Sequence, residues 1–193
     1  MIPLALDAQD EAVGLAFDLP DGWICLDLRM PGLAGRVDQV LHVVLDGGVS
    51  RDPLVEQGIR DLVDRLVADG AHCLLMRPAV DGARVAITGG VFVSAPLRVS
   101  GAELYRTLDE RGQPVALGDI DGMPIVSLVC PAPVPASRPV PGLQIVYLVC
   151  GDAATVLLSF AAAEASDPKC IVDEVARVLS RARVVRSRRD AGF

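Results

Sequence analysis

The chain has 193 residues, of which 51% are apolar, and a formal net charge of −7 at pH 7. That length fits one domain with a substantial core. The acidic balance argues against nucleic-acid binding by the body of the protein, and no apolar run approaches the roughly 18 residues that span a bilayer. The start of the chain has no basic residue before its apolar part, unlike a signal peptide, so we expect a cytoplasmic protein with no membrane partner.

The stretch from Ala16 to Leu28 predicts a strand, a turn and a strand. Two apolar runs flank Pro20-Asp21-Gly22, a typical turn sequence, and Trp23, the single tryptophan of the chain, follows directly. Past Trp23 the apolar residues alternate, which predicts a half-buried second strand. We expect the rest of the fold to be layered around this hairpin, with Trp23 at least partly buried.

Four helices are predicted from capping residues and from apolar side chains at helical spacing. They are a helix over roughly 34–46, a helix from Asp52-Pro53 to Gly70, a helix from the capping box Ser100-Gly101-Ala102-Glu103 to Gly112, and a terminal helix from Asp167-Pro168 that closes over 178–184. The first is open to a second interpretation, since the segment from Val40 to Leu45 could be a buried strand.

The remaining apolar runs predict strands of a mostly antiparallel sheet. These runs are a hairpin over 71–95, bulged or bent at Gly89-Gly90, and strands near 114–117, 123–130, 146–150 and 154–160. The links between them are too short for parallel crossovers. We therefore predict an α+β fold, an α/β/α sandwich in which a mostly antiparallel sheet of about six to eight strands is flanked by helices.

Residues 1–185 are predicted to form a single domain, and residues 186–193 a basic, flexible C-terminal tail. Within the domain, the proline-rich segment 131–141 lies between two matched strands. It is interpreted as a stiff hairpin connector. Presentation of a polyproline II strand to a partner is the alternative.

Basic residues gather at the C-terminal end of the chain. Residues 181–193 carry five arginines and one aspartate, a local charge of +4, so the remainder of a chain at −7 carries −11. Exposed arginines are suited to contacts with an acidic partner. The candidate contacts are Arg183, Arg186, Arg188 and Arg189. A merely solvated tail is the alternative.

No constellation of residues predicts catalysis, and no cofactor or metal is expected. His42 and His72 are the only histidines, and neither has a cysteine, histidine or carboxylate at ligand spacing, which favours structural roles. The nucleophile elbow, the dinucleotide turn and the P-loop are missing. Asp119-Ile120-Asp121-Gly122 lacks the further ligands of a calcium loop and predicts a plain turn.

The five cysteines are odd in number and widely spread, and four of them lie in strand-like apolar runs. That distribution predicts buried thiols in preference to disulfides or a reactive site.

The two ends of the chain resemble a known family. Phe17-Asp18-Leu19-Pro20-Asp21-Gly22-Trp23 is similar to the opening of Mog1/PsbP-like domains, and the strand Thr155 to Phe160 followed by the terminal helix is similar to their ending. The resemblance implies an antiparallel sheet covered by helices on both faces. It also implies a family made up mostly of binding and assembly factors without a shared active site, which includes actinobacterial lipoproteins and secretion-associated proteins.

We therefore expect a non-enzymatic binding or adaptor protein that acts through protein–protein contacts, associated with secretion or assembly. One alternative is a carrier of a small apolar ligand between the sheet and the helices. Another is an enzyme whose catalytic residues are scattered along the sequence. A deep pocket that holds a histidine beside a carboxylate and a serine or cysteine would support this alternative.

Overall fold

The fold is seen in a computed structural model, which describes residues 11–29, 31–46, 53–78, 87–94, 97, 99–111, 113, 115–120, 122–132, 142–151, 154–162 and 168–188. In chain order the elements are β1 (Glu11–Phe17), β2 (Ile24–Asp27), α1 (Leu33–Asp46), α2 (Pro53–Ala68), β3 (Cys73–Arg77), β4 (Ile87–Ser94), α3 (Gly101–Glu110), β5 (Val115–Ile120), β6 (Met123–Ala132), β7 (Gly142–Cys150), β8 (Thr155–Ala162), α4 (Pro168–Leu179) and β9 (Ala182–Arg188).

The described strands form one sheet of seven and one ribbon of two. The order in the large sheet is β2-β3-β4-β8-β7-β6-β5, and the ribbon pairs β1 with β9. All neighbours are antiparallel. The predicted α+β class, with a mostly antiparallel sheet and flanking helices, is confirmed.

Local sequence signals account for the helices. The Ser100 hydroxyl caps α3 by accepting a hydrogen bond from the Glu103 N–H at 3.2 Å. Gly70, with φ +78°, follows the end of α2 in a backbone region that suits glycine. The segment around Val40 is helical, so the strand alternative for this region is excluded. Gly112, the predicted stop of α3, lies outside the described residues.

Each face of the large sheet carries its own core layer. The ribbon and α4 cover one face, and α1 and α2 cover β2, β3 and β4 on the other. Trp23 belongs to the first layer, 8% exposed, with its ring edge-on to Phe160 at 6.1 Å between centroids. Aromatic pairs favour that geometry. The predicted burial of Trp23 is confirmed.

The strand, turn and strand predicted from Ala16 to Leu28 are present, but their pairing as a hairpin is wrong. The turn exists, with the Trp23 N–H donating to the Pro20 carbonyl at 3.2 Å, but the flanking strands enter different sheets. Phe17 faces Ala182, and Ile24 faces Met76. Each strand finds its partner far along the chain, and these long-range pairings override the local one.

The predicted bulge at Gly89-Gly90 is also wrong. Both glycines stay in register, Gly89 between Leu75 and Phe160 on the two neighbouring strands. A Cβ atom on Gly89 would lie 2.5 Å from Cδ1 of Phe160, and one on Gly90 would lie 2.8 Å from Cδ2 of Leu66. Glycine at these two positions leaves room for the side chains of Phe160 and Leu66.

The end of the chain is a strand where a helix and a tail were predicted. The terminal helix stops at Leu179, and Ala182–Arg188 is β9, opposite β1. Residues 186–188, placed in the flexible tail by the sequence, have their backbone in this ladder. The valine pair at 184–185 suits a strand. Residues 189–193 and most of the proline segment, 133–141, lie outside the described residues.

Candidate functional site: an arginine groove beside the ribbon

The structure divides the four predicted contact arginines into two groups. Arg183 is exposed at the start of β9. Arg186 and Arg188 have backbones opposite Val13 and Glu11; their side chains, and the whole of Arg189, lie outside the described residues. Only Arg183 can therefore be placed in a site.

Arg183 lines a groove of about 350 Å³ together with Ala16, Phe17, Asp18 and Arg181. We call this feature the arginine groove. The pairing of β1 with β9 builds it, since Ala16 faces Arg183 in the ladder. The Asp18 N–H donates to the Arg181 carbonyl at 3.4 Å where the strands leave the ribbon.

The lining of the groove divides into apolar and charged residues. Ala16 and Phe17 are buried, whereas Asp18, Arg181 and Arg183 are exposed. The groove thus has an apolar base and a charged rim with two guanidinium groups and one carboxylate. Both arginines are fixed at the backbone by the ribbon while their side chains remain in water.

Neither Arg181 nor Arg183 has an ion-pair partner among the described residues. Other arginines of the structure do: Arg29 pairs with Asp27, Arg60 with Asp38 and Glu56, and Arg77 and Arg177 with Glu174. A guanidinium offers several donors in a fork that matches carboxylate and phosphate oxygens. The arginine groove is therefore suited to an anionic group next to an apolar one.

Sequence reasoning counted Arg181 in the local charge but did not place it among the contacts. Its spacing of two from Arg183 was the available signal, because residues two apart share one face of an extended segment. Asp18 and Phe17 carried no such signal, since nothing in the sequence shows that β1 pairs with β9.

His72 lies in a different polar cluster, at the edge strand β2. Nη1 of Arg29 lies 3.5 Å from Nδ1 of His72, and Arg29 also donates to Asp27, from its backbone N–H at 2.9 Å. Burial, followed by the charge of Arg29, lowers the pKa of His72. Burial alone would raise the pKa of Asp27, but the hydrogen bonds from Arg29 outweigh it and leave that pKa below its ordinary value.

The cluster does not have the arrangement of a catalytic dyad. Asp27 and Cys73 face each other across β2 and β3, but no described serine or cysteine is hydrogen-bonded to His72, which instead meets a cation. His42 is exposed on α1. A nucleophile with an adjacent base is the signature of covalent catalysis, and within the described part of the chain His72 does not provide it.

The cysteines are free thiols, but only Cys73 is fully buried; Cys170 on α4 is exposed and the other three are half-buried. A hydrogen bond with Cys25, together with burial, raises the pKa of Cys73 far above its ordinary value. The prediction of buried thiols thus holds fully for one cysteine. The raised pKa keeps that thiol protonated and unreactive.

Among the described residues, no three histidine, cysteine or acidic side chains are grouped so that they could hold a metal ion. Asp119 instead closes its turn, with one carboxylate oxygen accepting from the Gly122 N–H at 2.9 Å. This agrees with the plain-turn prediction.

In the same described part of the chain, none of the helices has the length and apolarity to cross a bilayer.

Comparisons with known proteins return similarities of fold. No protein-family model matches the sequence, and no curated protein matches it either. The chain is similar to the crystal structure of LpqN, involved in cell envelope biogenesis of Mycobacterium tuberculosis, with 10% identity, a TM-score of 0.49 and coverage of 95% of this chain and 90% of that one. It is also similar to the solution structure of cyanobacterial PsbP (CyanoP) from Synechocystis sp. PCC 6803, with 13% identity, a TM-score of 0.38 and coverage of 95% and 92%. The predicted resemblance to PsbP/Mog1-like domains is confirmed as a likeness of fold alone.

Proposed function

We propose that this protein is a non-enzymatic binding protein that holds an acidic segment of a protein partner in the arginine groove. The observation that carries the proposal is the pair Arg181 and Arg183, which rim a groove of about 350 Å³ without an ion-pair partner among the described residues. An acidic side chain would meet the guanidiniums while a neighbouring apolar group contacts Phe17.

The distribution of charge supports the same choice of partner. The body of the chain is strongly acidic, and five of the seventeen arginines gather in residues 181–193. An acidic partner is repelled by the body and attracted to this one region, which favours a defined orientation of encounter. Each exposed ion pair contributes only about 0–1 kcal/mol, so the two arginines act together with the apolar base of the groove.

Charge reversal in the groove tests the proposal. Wild-type protein and an Arg181→Glu/Arg183→Glu double variant serve as baits in a native cell lysate, and captured proteins are quantified by mass spectrometry at low and high salt. At about 0–1 kcal/mol for each exposed pair, binding of a true partner weakens by up to about thirtyfold. Capture by the wild type falls with salt, because exposed charges are screened.

Arg106→Glu is the matched control. Arg106 is exposed on α3 and is not one of the residues that line the groove, so this variant changes the net charge while leaving the groove intact. It should retain the partners of the wild type. Retention of the same partners by the double variant would show that the groove does not bind them.

A further inference from the structure

The two edges of the seven-stranded sheet are β2 and β5, and β5 is the more open of them. Residues 116–119 of β5 are all exposed, and Leu117, 48% exposed, is the most exposed large apolar side chain among the described residues. Native edge strands are commonly protected from pairing by charged side chains, prolines or bulges. The described register of β5 contains one charged residue, Asp119, and no proline or bulge.

Two observations establish which backbone groups of β5 face the open edge. Ile120 faces Met123 across the two-residue link to β6, a pair that the turn joins by hydrogen bonding. Four residues earlier, the Ala116 carbonyl is directed at β6, since it accepts from the Ser127 hydroxyl at 3.4 Å. Hydrogen bonding alternates along an antiparallel strand. Val115, Leu117 and Asp119 therefore direct their N–H and C=O groups away from the sheet.

These outward residues are symmetric about Leu117, and that symmetry matches a second copy of the same strand. In an antiparallel pair with Leu117 on the two-fold axis, each Val115 faces Asp119 of the other copy and the two Leu117 side chains meet. All three outward residues fall in hydrogen-bonded positions. The one charge of the strand, Asp119, faces a valine instead of its own copy, so the register avoids like-charge apposition.

We propose that the protein forms a two-fold symmetric dimer by pairing β5 with β5 of a second copy, joining the two seven-stranded sheets into one. The interface is isologous, as in most homodimers. It covers Leu117 and satisfies the outward backbone groups of both strands. It uses none of the residues that line the arginine groove.

Sedimentation at increasing protein concentration tests the dimer. Wild-type protein is expected to shift from the monomer mass of 20.3 kDa towards twice that value. Leu117→Lys places a charge on the axis without touching the bonds to β6, so this variant is expected to keep its circular dichroism and melting temperature but to lose the dimer. Val67→Lys, at a 43% exposed apolar site on α2, is the matched control and keeps it.

Amide exchange distinguishes the proposed register from any other contact. With rising concentration, the amides of Val115, Leu117 and Asp119 should gain protection, while those of Ala116 and Gly118, already directed at β6, should not change. Wild-type protein that stays monomeric throughout overturns the proposal. So does a dimer that persists in Leu117→Lys, or one whose formation leaves the three amides unprotected.

Discussion

Two regions of the molecule differ in whether their charged side chains are buried and paired or exposed and, among the described residues, unpaired. Against β3, the carboxylate of Glu174 on α4 is buried between Arg77 and Arg177, with its side chain 8% exposed. Beside the ribbon, Arg181 and Arg183 stay exposed and without ion-pair partners among the described residues. A buried charge is tolerated only when paired, while an unpaired one must keep its water. The first region therefore serves the fold, and the second remains available to a partner.

The largest effect is expected where the charge is buried. Glu174→Ala should lower the free energy of unfolding by about 3 kcal/mol, because two charge-assisted contacts with guanidiniums are lost together with the carboxylate. Urea unfolding of the wild type and the variant measures this change in the free energy of unfolding. Glu56→Ala is the control, since Glu56 also pairs with an arginine on its own helix but is 44% exposed. It should change stability by about 0–1 kcal/mol. Equal losses in the two variants would remove the distinction between buried and exposed pairs.

Asp27 should behave like Glu174, with a smaller effect. Asp27→Asn weakens the hydrogen bonds from Arg29 to a side chain 9% exposed, and should lower stability at neutral pH by about 1–3 kcal/mol. The lowered pKa of Asp27 makes this contribution pH-dependent. It is present above the unfolded pKa of about 3.9 and disappears as pH falls through the folded value.

Unfolding of wild type and Asp27→Asn at several pH values checks this expectation. The two curves should converge in acid. Asp38→Asn, in an exposed pair with Arg60, should change the free energy of unfolding at neutral pH by only about 0–1 kcal/mol. A gap between wild type and Asp27→Asn that stays constant into strong acid would contradict the role given to the carboxylate.

His72 should add a weaker pH dependence near neutrality. Its folded pKa is lowered by burial and by Arg29, against the opposing charge of Asp27. The resulting stability is present above the unfolded pKa of about 6.5 and is lost as pH falls through the folded value. His72→Gln should flatten the dependence of the melting temperature on pH between pH 7.5 and about pH 5.5. If the melting temperature of His72→Gln depends on pH as steeply as that of the wild type, His72 is not the source of this dependence.

The smallest effect is expected at the arginine groove. Arg181→Glu/Arg183→Glu should change the free energy of unfolding by no more than about 0.5 kcal/mol, because no described acidic group pairs with either side chain. Thermal unfolding measures this directly. A fall of several degrees would mean that the two arginines bind the acidic body of their own chain, and the two regions would then serve the same purpose.

Local chemistry made much of the fold predictable. The cap at Ser100 and the positive-φ glycine after α2 act over a few residues, and these helices were placed correctly. The strand pairs were harder. The turn at Pro20 to Trp23 was identified, but whether its flanking strands pair with each other depends on partners that arrive from distant parts of the chain.

The site was predictable only in part for the same reason. Charge counting identified Arg183, because a cluster of arginines stands out in an acidic sequence. The groove around it also needs Phe17 and Asp18, and only the register of β1 against β9 brings them together. The strand after Leu179 had a signal in the paired valines at 184–185, but the first of them was assigned to the end of the helix instead.

The pairing of β1 with β9 also determines when the arginine groove can exist. Synthesis proceeds from the N-terminal end, and domains begin to form in that order. On the ribosome β1 can pair only after β9 has been made, so a chain not yet extended through β9 has Phe17 and Asp18 but no opposing arginines. If the groove binds a partner as proposed, that partner distinguishes chains that contain β9 from chains that stop before it.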